Sequence, residues 1–211
     1  MSRPARGRFI TLEGGEGAGK STQARLLAAA LAARGLPVLR TREPGGSPGA
    51  EAIRGLLLGQ AVARWDSVAE CMLHFAARRE HVQASIRPAL EAGIWVVCDR
   101  FADSTYAYQC HGQGVPRAVF QALSEVALEG LRPDLTLVLD LPVERGLGRA
   151  TARGDTNRYE ALGAGFHAKV REAFLAIAAA EPERCALVDA SQPLEAVTAA
   201  LLRALNARLP A

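Results

Sequence analysis

Cysteine is scarce and scattered in this chain of 211 residues: Cys71, Cys98, Cys110 and Cys185 are the four, and no two form a Cys-x-x-Cys pair. That spacing excludes the disulfide framework of a small secreted domain. It also offers no zinc cage, alone or with His74, His81, His111 and His167. Cys98 falls inside an apolar run and reads as a small buried hydrophobe. No hydrophobic stretch is long enough to span a bilayer, and the basic residues Ser2–Arg8 precede no apolar core of a signal peptide. A reduced, cytoplasmic protein with no membrane partner is expected. Strong charge of either sign is missing too: 25 basic against 22 acidic side chains leave +3, too little to predict nucleic-acid binding. Repeats, low-complexity tracts and composition breaks are absent. Residues 1–211 are therefore expected to form a single domain, long enough to bury about 70% of its unfolded surface.

What is present is an alternation. The apolar runs Phe9–Leu12, Pro37–Thr41, Ile94–Cys98, Leu135–Leu139 and Cys185–Val188 read as strands. Between them lie helical patterns: Leu26, Leu27, Ala30 and Leu31 before the stop at Gly35, then about 50–58, 67–85 and 87–92. Strands separated by helices predict an α/β fold with one parallel sheet covered on both faces. Ligands bind such sheets at the C-terminal strand ends. Here those ends carry Glu13, Thr41-Arg42-Glu43, Asp99-Arg100, Asp140 and Asp189. Polar groups thus gather at one edge of an apolar sheet.

The segment Gly14-Gly15-Glu16-Gly17-Ala18-Gly19-Lys20-Ser21 fits the phosphate-loop pattern Gly-x4-Gly-Lys-[Ser/Thr], with a strand before it and a helix after. Glycines let backbone N–H groups turn inward around phosphate oxygens, and the helix N-terminus adds partial positive charge. Lys20 would reach the β- and γ-phosphates of a nucleoside triphosphate, and the Ser21 hydroxyl would ligate Mg2+. Two strands end in an acid that could also hold the metal, Asp99 and Asp140. Asp99 is preferred, because Arg100 beside it suits a second phosphate bidentately.

Four segments together resemble the thymidylate kinases of bacteria: Glu13 to Thr22, Thr41-Arg-Glu-Pro-Gly-Gly46, Asp99 to Gln109, and the arginine-rich Arg149 to Glu160. They occur in the family's order across most of the chain. The resemblance implies a P-loop NTPase fold with a five-stranded parallel sheet and a short mobile lid at about 149–162. It implies transfer of the γ-phosphoryl group of Mg-ATP to dTMP, and a homodimer. Gly14 to Thr22, with Arg149, would bind ATP. Glu16 would accept a hydrogen bond from the acceptor sugar. Arg42 and Pro44 would wall the acceptor pocket, Arg100 would hold phosphate, and Ser104, Thr105 and Gln109 would read the base. Tyr106 and Tyr108 are left between sugar contact and core.

On the helix around residues 71–79, a stacking ring and an arginine one turn later are implied in one of two registers, Phe75 with Arg79 or His74 with Arg78. Phe75 is preferred as the neutral aromatic, and the choice between Arg78 and Arg79 stays open. Some relatives carry a catalytic arginine where Gly17 stands, so the lid must supply that charge, with Arg153 first choice beside Lys20, Arg100 and Asp99. One departure stands out: the family's Gly-Gly-Gly-Arg-Gly is Cys110-His111-Gly112-Gln113-Gly114 here. The competing readings are another nucleotide kinase of the same fold, or an ATP-dependent switch.

Overall fold

In a computed structural model, residues 6–59, 65–153, 158–159 and 161–209 are described. Five strands, β1 (Phe9–Glu13), β2 (Val38–Arg42), β3 (Trp95–Asp99), β4 (Leu135–Asp140) and β5 (Cys185–Asp189), form one sheet in the order β2-β3-β1-β4-β5. Every pairing is parallel, as expected from the alternation. The helices are α1 (Lys20–Ala33), α2 (Pro48–Leu58), α3 (Ser67–His81), α4 (Arg87–Glu91), α5 (Ala102–Thr105), α6 (Arg117–Leu128), α7 (Val143–Arg153), α8 (Ala164–Ala180) and α9 (Leu194–Arg208). The helical stretches expected at 67–85 and 87–92 are one continuous run: α3 passes through a π-helical turn, Val82–Ile86, into α4. A second π-helical segment, Tyr106–Gly112, extends α5 through the stretch where the sequence departs from the family pattern.

The sheet owes its stability to strands that are apolar on both faces. Ile10 and Leu12 of β1 pack with Leu27 and Leu31 of α1, Val97, Leu137, and Leu201 and Leu205 of α9. Phe9, one residue out of phase, points the other way, to Val96, Cys98, Phe101 and Leu90. On that second face α8 adds Val170 and Phe174 over Val138 and Tyr108. Fully burying a side chain of this size contributes roughly 1.5–3 kcal/mol. Thr11 is tolerated at the centre because its hydroxyl meets that of Thr136 at 2.8 Å.

Register positions the chemistry. Leu12 lies opposite Asp99 on one side and Leu137 on the other, so the ends of β1, β3 and β4 share one edge. The loop after central β1 opens between its neighbours β3 and β4, the crevice where open α/β sheets bind ligands.

Candidate active site

The phosphate loop joins β1 to α1, and α1 starts at Lys20 itself, so the first amides of the helix face the loop. Gly17 has φ +66°, and a Cβ there would lie 2.1 Å from the Gly146 carbonyl oxygen of α7. A Cβ on Gly146 would in turn lie 2.4 Å from the Glu16 carbonyl oxygen. The loop and the first turns of α7 are therefore packed backbone to backbone, and no arginine fits at position 17. The buried Lys20 Nζ donates to the Gly15 carbonyl at 2.6 Å. Burial, with Arg100 nearby, lowers its pKa to about 8.

The two strand-end acids separate clearly. The Ser21 hydroxyl donates to Asp99 Oδ2 at 2.5 Å, and both residues line the cavity beside the loop. Asp140 instead accepts a bidentate pair from Arg171 of α8, at 2.7 and 2.9 Å. Its carboxylate belongs to packing of α8 against the sheet.

Arg100 is the hub between the two halves of the site. It takes the left-handed backbone region, φ +71°, uncommon for a residue with a Cβ and typical of positions held by their surroundings. Its guanidinium donates to the Gly14 carbonyl (3.0 Å), Ser104 Oγ (3.1 Å), Glu16 Oε1 (3.1 Å) and the Tyr108 hydroxyl (3.1 Å). Tyr108 in turn donates to Glu16 at 2.8 Å. Burial would raise the Glu16 pKa, but Arg100 and then Lys20 outweigh it and hold the carboxyl near 2. Glu16 is thus anionic at every working pH, turned from the phosphate cradle towards Arg100 and Tyr108. Tyr106 is not at the cavity; it packs against Phe120 and His111.

Beneath this layer lies Glu13, which accepts from the amides of Phe101 (2.7 Å) and Ser104 (3.3 Å) and from Ser104 Oγ (2.6 Å). Burial, reinforced by Asp103, pushes its carboxyl up to about 8. The preferred register on α3 is corrected by packing. Phe75 is 2% exposed and meets Phe120 of α6 edge-on at 5.4 Å, inside a cluster with Cys71, Val115 and Ala127. Arg79 is at the surface, paired with Glu129. His74 and Arg78 are the pair that lines the cavity. The apolar ring is the better core residue, so α6 covers it and the imidazole faces the cavity.

Arg78 is held on three sides: Nε to Glu43 (2.7 Å), Nη2 to the Phe101 carbonyl (3.0 Å) and Thr105 Oγ1 (3.1 Å). Its Nη1 is buried without a partner. Glu43 also meets His81 Nδ1 at 3.0 Å, and His81 Nε2 meets Thr41 at 2.7 Å. Arg42, Pro44 and Arg54 complete that wall; Arg54 donates to the Pro44 carbonyl at 2.6 Å.

The base of the cavity is a network that sequence reasoning missed. Glu70 of α3 accepts from Gln109 (2.9 Å), Gln113 (2.8 Å) and the Tyr159 hydroxyl (2.7 Å), and pairs with Arg158. Tyr159 also meets His74 Nε2 at 2.9 Å. Burial, with Arg78 and Arg158, lowers the His74 pKa to about 3, so the ring is neutral. Gln109 and His74 are candidates from the sequence and Gln113 stands where the family pattern has arginine, but nothing in the sequence marks Glu70, which joins them. Arg149 donates to the Ala190 carbonyl at 3.3 Å, beyond the loop. The Arg153 side chain and residues 154–157 and 160 of the expected lid lie outside the described residues. The whole encloses a cavity of about 690 Å3 running from the phosphate loop to His74, Gln109 and Tyr159.

A family model described as thymidylate kinase matches residues 12–201. A thymidylate kinase of Caulobacter vibrioides is 55% identical over 203 residues, covering 96% of this chain and 98% of that protein. One of Pseudomonas fluorescens is 56% identical over 195 residues, covering 92% and 93%. The crystal structure of thymidylate kinase from Ehrlichia chaffeensis superposes with a TM-score of 0.77 at 33% identity, covering 95% of this chain and 99% of that one.

Proposed function

The chain belongs to the thymidylate kinase family and transfers the γ-phosphoryl group of ATP to dTMP, giving dTDP and ADP, and we propose that the cavity described above holds both substrates end to end. The observation that carries this reading is the continuity of that cavity: the phosphate loop forms one end, His74, Arg78 and Gln109 the other, with Arg100 between. The triphosphate lies in the Gly14–Thr22 loop, with Lys20 on its terminal phosphates. The nucleotide's outer part extends towards Arg149 and Ala190.

The acceptor phosphate lies among Arg42, Arg54 and Arg100, which line the cavity and are less buried than Arg78, Arg42 resting on Glu51 and Arg100 on Glu16. The charge of Arg78 is already met by Glu43, and its unpartnered Nη1 suits a neutral ring carbonyl better than a phosphate. Glu16 accepts from the sugar hydroxyl with its second oxygen. Ser104 and Thr105 act through Arg100 and Arg78, which they hold, and Gln109 faces the base. The step is in-line attack by an acceptor phosphate oxygen on the γ-phosphorus while the bond to ADP breaks. The residues contribute position and charge, with no covalent intermediate.

Mg2+ fits the donor set at Ser21 and Asp99: adjacent hard oxygens, few enough that phosphates and water complete an octahedron. The ion would neutralise charge on the triphosphate. Among the described residues no cluster of three or more His, Cys, Asp or Glu offers a dedicated metal cage, which accords with a metal brought in on the nucleotide. Asp99→Asn is expected to raise the Mg2+ concentration for half-maximal rate by about tenfold or more. An unchanged requirement would take Asp99 out of metal binding.

A homodimer through α3 and α6 is supported by Met72 and Val126, which are 51% and 75% exposed on helices that pack together. Sedimentation should then report twice the 22.3 kDa chain mass, and a single chain mass at micromolar concentration would refute it.

A further inference from the structure

We propose that Glu70 is a positioning residue for base selection, turning the Gln109 amide so that its carbonyl oxygen faces the acceptor base and accepts the N3–H of thymine. The inference rests on reading Gln109 as a base contact. Glu70 sits in the first turn of α3 and is 2% exposed. Its Oε1 receives the Gln109, Gln113 and Tyr159 donors, and its Oε2 receives Arg158. A carboxylate paired with a guanidinium offers acceptors only, so any amide turned towards it presents NH2. The planar Gln109 amide must then direct its oxygen away from Glu70.

That oxygen has no hydrogen-bond partner among the described residues, yet it is not sealed in, unlike the buried, unpartnered Gln113 Oε1. Gln109 itself is 1% exposed and lines the cavity. The same network fixes the neighbouring ring. The Tyr159 hydroxyl gives its proton to Glu70, so towards His74 it accepts, and neutral His74 carries its proton on Nε2. Around the base the orientations of Gln109 and His74 therefore both follow from one buried carboxylate. Gln113, where the family pattern has arginine, leaves Arg158 as the charged partner of that carboxylate among the described residues.

Thymine and uracil present a donor at N3, whereas cytosine presents an acceptor. A carbonyl facing the cavity binds the first class and repels the second. Reversing the amide would reverse that preference.

Glu70→Gln does this by a defined route. Arg158 keeps the new amide's oxygen, because a charge-assisted bond is roughly twice as strong as a neutral one. The new NH2 then faces Gln109, which flips. The readout is the ratio of kcat/KM for dTMP to that for 5-methyl-dCMP, which differs from dTMP only at ring positions 3 and 4. The ratio should narrow at least about tenfold in Glu70→Gln, as expected when a buried bond is lost and a mismatch created. It should recover in part in the Glu70→Gln, Arg158→Ala double variant. Glu70→Ala, which frees the amide to rotate, should narrow it as well and serves if the glutamine variant does not fold.

Gln109→Ala separates this inference from the reading beneath it. If Gln109→Ala narrows the ratio while both Glu70 variants keep it within about threefold, the positioning role is overturned and the base contact stands. If none of the variants moves the ratio, Gln109 does not read the base and both ideas fall.

Discussion

Replacing Arg153 by alanine is expected to lower kcat by about 10^3–10^5-fold while leaving ATP affinity within about threefold, the scale at which an added arginine stabilises phosphoryl transfer. The deficit of positive charge begins at Gly17. Its backbone is in contact with that of Gly146, so position 17 has no room for an arginine. Within the loop Lys20 is the only side-chain cation, and burial has already pushed its pKa down to about 8. Arg100 is engaged by Glu16 and by the Gly14 carbonyl. Arg149 is turned towards Ala190. Charge that spreads over the γ-phosphoryl oxygens in the transition state therefore lacks one compensating cation.

Arg153 ends α7, whose start is anchored to the loop by the Gly17–Gly146 contact. Seven residues at 1.5 Å each put it about 10 Å further along that helix. Loss of kcat with unchanged ATP affinity would mark an interaction made in the transition state. A raised KM with unchanged kcat would instead mark uniform binding and remove Arg153 from the mechanism.

Much of this was legible in the sequence, for reasons that can be named. The five strands stood out because a parallel sheet covered on both faces demands uninterrupted apolar runs, and Trp95–Cys98 and Leu135–Leu139 are buried throughout. The phosphate loop stood out because its geometry demands glycine at fixed positions, and Gly14 and Gly19, the two glycines of the pattern, both have positive φ. Their chemistry is written locally, in consecutive residues.

What was not legible depends on contacts between distant elements. His74 with Arg78 and Phe75 with Arg79 have the same spacing, and only α6, some 45 residues on, decides which pair is covered. The neutral aromatic character that favours Phe75 for stacking is the same property that sends it into the core. Asp99 and Asp140 end strands of the same form, and Arg171 of α8 tells them apart. Glu70 could not be read at all. An acid in the first turn of a helix is ordinary helix chemistry, and only the approach of Gln109, Gln113, Arg158 and Tyr159 makes it a buried junction.

In the proposed arrangement, the end of the cavity formed by His74, Arg78 and Gln109 receives a thymine base. The most direct test offers the purified protein thymidylate, deoxyuridylate, uridylate and adenylate in turn, with Mg-ATP, and measures kcat/KM for ADP formation. Thymidylate should lead the pyrimidines. Adenylate should fall at least about 10^3-fold below it, because a purine would leave the buried Arg78 and Gln109 groups unpaired. Adenylate phosphorylated as efficiently as thymidylate would contradict the account.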